Sequence, residues 1–519
     1  MVLPDVTQQA TYGRSMAGSG ESGMSAATQG APGRRVVLVG GVVALGVAAG
    51  ATWLVGTTGD SGSDGVRVSP PTGPVIAAGD PAASALAASK ALFVSAPAVV
   101  VVAPGTTGDD LEAATLLATQ AGVPCLLDGE GLGAELDRLG CERLVRRGPD
   151  GDGRWSEAVS SRDEVDTLPA LTVATHPVVV VTPDPVAHAA AIATVRSALG
   201  AGDVVQVLRS DDPRADPVVA AVRADPPLPL VVVGDAPGLA TTALAGAARM
   251  ATMAPELPGG GVLPFPGRRM IALYGHPGVP GLGLLGEQDL DAAVERAQDL
   301  AQEYQDLVRE RVVPAFEIIA TIADSAAGAD GDYSSEADPE MLRPWVDAAG
   351  EAGVYVVLDL QPGRADFLSQ AKRYTSLLTE PHVGLALDPE WRIGPDERPL
   401  QRIGHVEADE VNEVATWLAK LTRDHDLPQK VFTLHQFQLQ MLRDRDRIRT
   451  DLPELAVVVH VDGHGTPELK QETWAAIQTD LPEEVHLGWK NFIDEDTPTF
   501  TPEETVRDVS PVPWFVSYQ

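Results

Sequence analysis

The second half of the 519-residue chain constrains the fold most strongly. From Met270 onward, short β-branched or aromatic runs alternate with helical patterns, and little chain is left between them. Eight strand candidates can be counted: 270–275, 315–322, 354–360, 383–388, 430–435, 455–461, 484–489 and 513–518. Seven helical patterns separate them, near 287–311, 339–351, 364–378, 407–425, 440–450, 468–479 and 502–508. Asp338-Pro339-Glu340 and Thr501-Pro502-Glu503 are good helix starts, with a capping side chain ahead of a proline at the first helical position. Eight strands in roughly 250 residues predict a (β/α)8 TIM-like barrel over 265–519. It would lack the last helix, because the sequence ends on the eighth strand.

The region 76–260 reads as a second α/β unit. Pro97-Ala-Val-Val-Val-Val-Ala-Pro104 and Pro177-Val-Val-Val-Val-Thr-Pro183 open two similar blocks of continuous apolar runs and Ala-rich helices. Such runs predict buried parallel strands, here a doubly wound parallel α/β domain that has been duplicated. The turns after the valine strands lack the G-x-G-x-x-G spacing that lets a pyrophosphate approach a helix N-terminus, so no nucleotide is expected. The stretch VVVVAPGTTGDDLEAATLLATQAGVPCLLDGEGLGAELDRLGCERLV has a valine strand, then Asp109-Asp110 opening an Ala/Leu helix, then Gly-x-Pro-x-Leu-Leu. Over about 88–255 this resembles the cell wall-binding repeat 2 family of bacterial surface proteins, without the family's Arg-Tyr lead-in. The resemblance implies attachment to a wall polymer. Cys125 and Cys141 are either a disulfide or two buried thiols.

The N-terminus sets the expected location. Residues 1–35 form a polar, Gly/Ser-rich tail, and 36–56 are an uninterrupted apolar run. At about 1.5 Å rise per residue this run can cross a ~30 Å hydrocarbon core. Arg14, Arg34 and Arg35 precede it and Asp60 and Asp64 follow it, so the tail is expected in the cytoplasm and the bulk outside. A cleaved signal is the rival reading, given Arg34-Arg35 and Ala49-Gly50-Ala51. Residues 57–75 read as a linker. A formal charge of −35 argues against nucleic acid, which needs a basic face. The expected partners are therefore the membrane, through one helix, and a cell-wall glycan or other polysaccharide.

Barrel chemistry sits where strands end at their carboxyl side. There the sequence offers Asp359, Asp388 and Glu390 as catalytic carboxylates. Tyr274, His276, Trp391, His435, Gln436, Asp462, Trp489 and Lys490 are candidate substrate-binding residues. A glycosidase needs one protonated and one ionised carboxyl about the scissile bond, with aromatic faces to stack a sugar. Glu390 is the expected acid, with Asp388 or Asp359 as its partner, and no cofactor is expected. The barrel thus looks like the glycoside hydrolase type. A metal-dependent hydrolase is the alternative, because His460-Val-Asp462-Gly-His464 puts three ligand-capable groups on one side of an extended segment. A non-catalytic glycan-binding scaffold is the third reading.

Overall fold

A computed structural model describes residues 65–69, 73–148, 155–170, 176–199 and 205–519. Eight parallel strands close a barrel: Arg268–Gly275 (β1), Arg311–Ala323 (β2), Tyr355–Leu360 (β3), Val383–Leu387 (β4), Lys430–His435 (β5), Leu455–Val461 (β6), His486–Asn491 (β7) and Phe515–Tyr518 (β8). β1 pairs with both β2 and β8, which completes the ring. A short antiparallel strand, Ser334–Glu336, adds to β2 beyond the ring.

The helices form where capping and apolar spacing agree. Helix Pro339–Ala352 starts on the Asp338 carboxylate and stops at Gly353 in the left-handed region. Helix Pro502–Asp508 has a full capping box between Thr501 and Glu504. The helix expected over 440–450 is absent. That connection holds two 3₁₀ turns around Asp444, whose φ of 49° interrupts a helix. Arg445 there donates to Gln436 and to the carbonyl of Ile477, contacts that outweigh local propensity.

Strand alternation divides the barrel's side chains into two sets. Outward residues such as Leu273, Phe316, Leu358, Leu385, Leu434 and Val459 pack with the surrounding helices in one large core. Inward residues Met270, Ala272, Val313, Ala315, Tyr355, Val357, Ala386, Val431, Ala456, Val458 and Phe515 fill the amino-terminal half of the interior. Leu257 and Phe265 belong to this inner cluster. The Pro/Gly-rich stretch before β1 therefore plugs the floor of the barrel.

Residues 76–260 form parallel sheets, but two of them instead of one continuous doubly wound sheet. Their strand orders are 125–127, 98–102, 143–147, 163–164 and 75–77, 230–233, 178–182, 205–209. Each valine strand is fully buried inside its own sheet, and one core cluster joins residues of both sheets to the intervening helices. Cys125 and Cys141 are buried free thiols, not a disulfide, and burial pushes them up to about 12 and about 11. The unit also touches the barrel, with Arg249 paired to Asp426 and Arg214 donating to the Pro453 carbonyl. The tail 1–35 and the apolar run 36–56 lie outside the described residues. Among the described residues, no helix is long and apolar enough to cross a membrane.

Candidate active site in the upper barrel

Following the inward positions toward the carboxyl ends, the interior changes character within one layer. Above the apolar half stand Tyr274 on β1, Glu317 on β2, Asp359 on β3, His435 on β5, His460 on β6, Lys490 on β7 and Ser517 on β8. All are buried. Asp388 and Asp462 continue the inward rows of β4 and β6 just past the strand ends, and Glu390 follows, partly exposed, in a 3₁₀ turn.

His435 is the hub. Its Nδ1 lies 2.9 Å from Asp462 Oδ2, and its Nε2 lies 3.0 Å from Glu317 Oε1 and 3.8 Å from Asp359 Oδ1. Tyr274 donates its hydroxyl to Asp359 Oδ2 at 2.8 Å, and Lys490 Nζ stands 3.4 Å over the Tyr274 ring. His460, the cross-strand neighbour of His435, has Nε2 3.2 Å from Ser517 Oγ and Nδ1 3.6 Å from Glu317 Oε1. Gly488 makes room for this imidazole, since a Cβ there would sit 3.0 Å from the His460 ring.

These surroundings separate the proton affinities of the carboxyls. Burial, then the charge of Asp462, pushes Glu390 up to about 8. Burial, then Glu390, raises Asp388 well above the usual carboxylate range. Burial lifts Asp359 to about 6 against the opposing pull of His435. Burial would raise Asp462 and Glu317 too, but the His435 hydrogen bond holds Asp462 low, and the His460 and His435 charges hold Glu317 low. His435 is raised despite its burial by Asp359 and Glu317, whereas burial lowers His460. The interior thus holds carboxyls that keep their proton near neutrality beside others that have lost it.

Several expected residues lie elsewhere. Trp489 points outward, 1% exposed, with its ring stacked on Phe500 and edge-on to Trp474 and its Nε1 donating to Asn491. It has no route to a sugar in the barrel, and a platform role does not fit. Gln436 also faces away from the interior and spends its amide on the Gln438 and Leu439 carbonyls and on Arg445. Trp391 is buried in the turn after β4, with no hydrogen-bond partner for Nε1. His276 is buried against β2, with Nδ1 2.8 Å from the Ile319 carbonyl. The triad His460, Asp462, His464 does not converge. The chain leaves β6 after Val461, His464 packs on the Phe492 ring at 5.7 Å, and Asp462 turns to His435. Arg392 pairs with Glu410, which leaves Glu390 to the interior group.

Glu317 escaped the sequence reading because it lies in mid-strand. Its signal was a lone carboxylate inside the apolar run AFEIIATI. Register explains its place, since β2 begins four residues earlier than expected and Glu317 pairs with Tyr274 at the level of the other polar residues. A scan against family models matches none, and comparisons with curated proteins and with solved structures return no match.

Proposed function

We propose that the barrel is a glycoside hydrolase of the cell envelope, acting on a wall glycan or similar polysaccharide. One arrangement carries the reading: Glu390 sits in the turn after β4 and Asp462 just past β6, 2.9 Å from His435 Nδ1. Burial and the Asp462 charge raise Glu390, while the His435 hydrogen bond holds Asp462 low. A protonated and an ionised carboxyl at the open end of one barrel are the two parts that glycosidic cleavage requires. Glu390 delivers its proton to the leaving oxygen. Asp462, with Oδ1 free of protein partners, is the ionised member that flanks the anomeric carbon. Asp388, raised by burial and then by Glu390, keeps its own proton and cannot be the base. Lys490 balances part of the carboxylate charge.

In this reading the 76–260 unit holds the wall, as its likeness to wall-binding repeats implies, and the 36–56 run anchors the chain with its bulk outside the cytoplasm. The test is release of reducing ends from purified wall glycan. Glu390→Gln should lower turnover by ~10²–10⁴-fold, the usual contribution of acid–base catalysis. Turnover that survives the substitution refutes the assignment. Fusions placed after residue 60 that report a cytoplasmic location refute the topology, and failure of the chain to sediment with walls refutes the attachment.

A further inference from the structure

Beneath Glu390 the polar layer contains a feature that acid–base hydrolysis does not use. Glu317, Asp359, His435 and His460 come from four strands, β2, β3, β5 and β6, and meet at the centre of the barrel. All four side chains are completely buried. The donor atoms of Glu317, His435 and His460 lie within 4.8 Å of one another. Glu317 Oε1 is 3.0 Å from His435 Nε2 and 3.6 Å from His460 Nδ1, and Asp359 Oδ1 is 3.8 Å from the same His435 Nε2.

We propose that Glu317, His435 and His460 bind one divalent first-row transition metal, with Asp359 beside the site, and Zn²⁺ is the ion that best suits two imidazoles and a carboxylate. Tetrahedral bonds of ~2.0–2.2 Å to nitrogen and oxygen separate neighbouring ligand atoms by about 3.3–3.6 Å, and Glu317 Oε1 stands 3.0 Å and 3.6 Å from the two ring nitrogens.

Three features separate this from a buried ion-pair network. First, polar atoms at the centre are left without a hydrogen bond, although His435 Nε2 and Glu317 Oε1 meet each other at 3.0 Å. His460 Nδ1, Glu317 Oε2 and Asp359 Oδ1 are buried and have no hydrogen-bond partner in the protein. A network built for its own sake would satisfy them, because an unpaired buried polar group is costly. Second, both imidazole ligands, and Asp359 beside them, are held from behind. Asp462 takes Nδ1 of His435, Ser517 takes Nε2 of His460, and the Tyr274 hydroxyl donates to Oδ2 of Asp359. This is the outer shell that fixes the tautomer and the angle of metal ligands. Third, Glu317, Asp359 and Asp462 surround His435, and a divalent cation would supply the positive charge that a protonated His435 otherwise gives them. His435 and His460 are direct partners in the β5–β6 register, so the two rings leave the sheet side by side, with centroids 4.8 Å apart.

The inference goes beyond the glycosidase reading and is tested without turnover. The full chain is stripped with a chelator, incubated with ZnCl₂, MnCl₂ or CoCl₂, and passed through gel filtration before metal analysis. We expect about one Zn²⁺ retained per chain and a higher unfolding temperature than the stripped protein, since a ligand that binds only the folded state stabilises it. We also expect the visible absorption of a four-coordinate Co²⁺ site. Asp462→Asn, which alters the group behind His435 without replacing a ligand, should weaken Zn²⁺ binding by ~10–100-fold, and Ser517→Ala should weaken it as well. His460→Ala should abolish retention, with circular dichroism verifying the fold. If the folded wild-type protein retains none of the three metals and its unfolding temperature does not respond, the four residues form a metal-free network and the proposal is wrong. Retention undiminished in Asp462→Asn and His460→Ala puts the metal elsewhere and overturns it equally.

Discussion

Replacing Glu390 by Gln tests the acid without knowledge of the substrate. The Glu390 carboxyl ionises near 4.5 in an unfolded chain and near 8 in the folded protein, because burial and then Asp462 oppose its charge. Between those values the folded protein keeps a proton that the unfolded chain has released. The stability contributed by the protonated carboxyl is fully present below about 4.5 and is lost as pH rises toward about 8. The slope is at most ~1.4 kcal/mol per pH unit, so the ceiling between pH 5 and 8 is about 4 kcal/mol. Water reaching the partly exposed carboxyl reduces this to about 2–3 kcal/mol. Glutamine has the same shape and is neutral throughout, so the variant lacks this pH-dependent loss. Urea unfolding followed by circular dichroism should give nearly equal stabilities at pH 5, with the variant ahead by that amount at pH 8. Curves that stay parallel across the range would show that Glu390 ionises normally when folded. The general-acid role would then lose its physical basis.

Lys490 lowers the proton affinity of Glu390, so Lys490→Met should move the alkaline limb of the turnover profile to higher pH; a limb that shifts downward contradicts the arrangement. Trp489→Ala should cost about 3–5 kcal/mol in urea unfolding, because it empties a packed site between the barrel and its helices, while glycan affinity is unchanged. Phe265→Ala should be costly on the same scale, since Phe265 plugs the barrel floor beside His486 and Trp514. It should leave the pH profile in place, because the apolar layer of Tyr355, Val357, Ala386 and Val458 lies between it and the carboxyls.

How far the sequence could be read depended on strand register. Strands buried on both sides seldom carry ionisable residues through their middles, which is why Asp359, Asp388, His435, Asp462 and Lys490 could be picked out at strand ends. Where a strand end was misplaced, neighbours from both faces were gathered as candidates, although successive side chains point to opposite sides. β7 runs over 486–491 and not 484–489, so its inward carboxyl-end residue is Lys490, and Trp489 belongs to the outer core. Glu317 was hidden by the opposite error, because β2 is longer than its apolar run and the polar layer crosses it well before its end. The segment 440–450 has helical spacing, but Arg445 is also anchored on the Ile477 carbonyl, which lies outside any local window.

The two-sided interior also explains how such a cluster is tolerated. Each buried carboxyl or imidazole loses water on entering the barrel, and that cost is met only where a partner of opposite charge or a hydrogen bond is within reach. Closing the sheet brings residues from seven different strands into one layer, so partners far apart in sequence meet: Tyr274 with Asp359, Glu317 with His435, His460 with Ser517. The apolar layer and the Leu257–Phe265 plug keep water out from below, so the electrostatic environment is set from the carboxyl end alone. An interior left open at both ends would return every carboxyl toward its ordinary range. The contrast between a protonated Glu390 and an ionised Asp462 is therefore a property of the closed, plugged barrel as much as of the two residues.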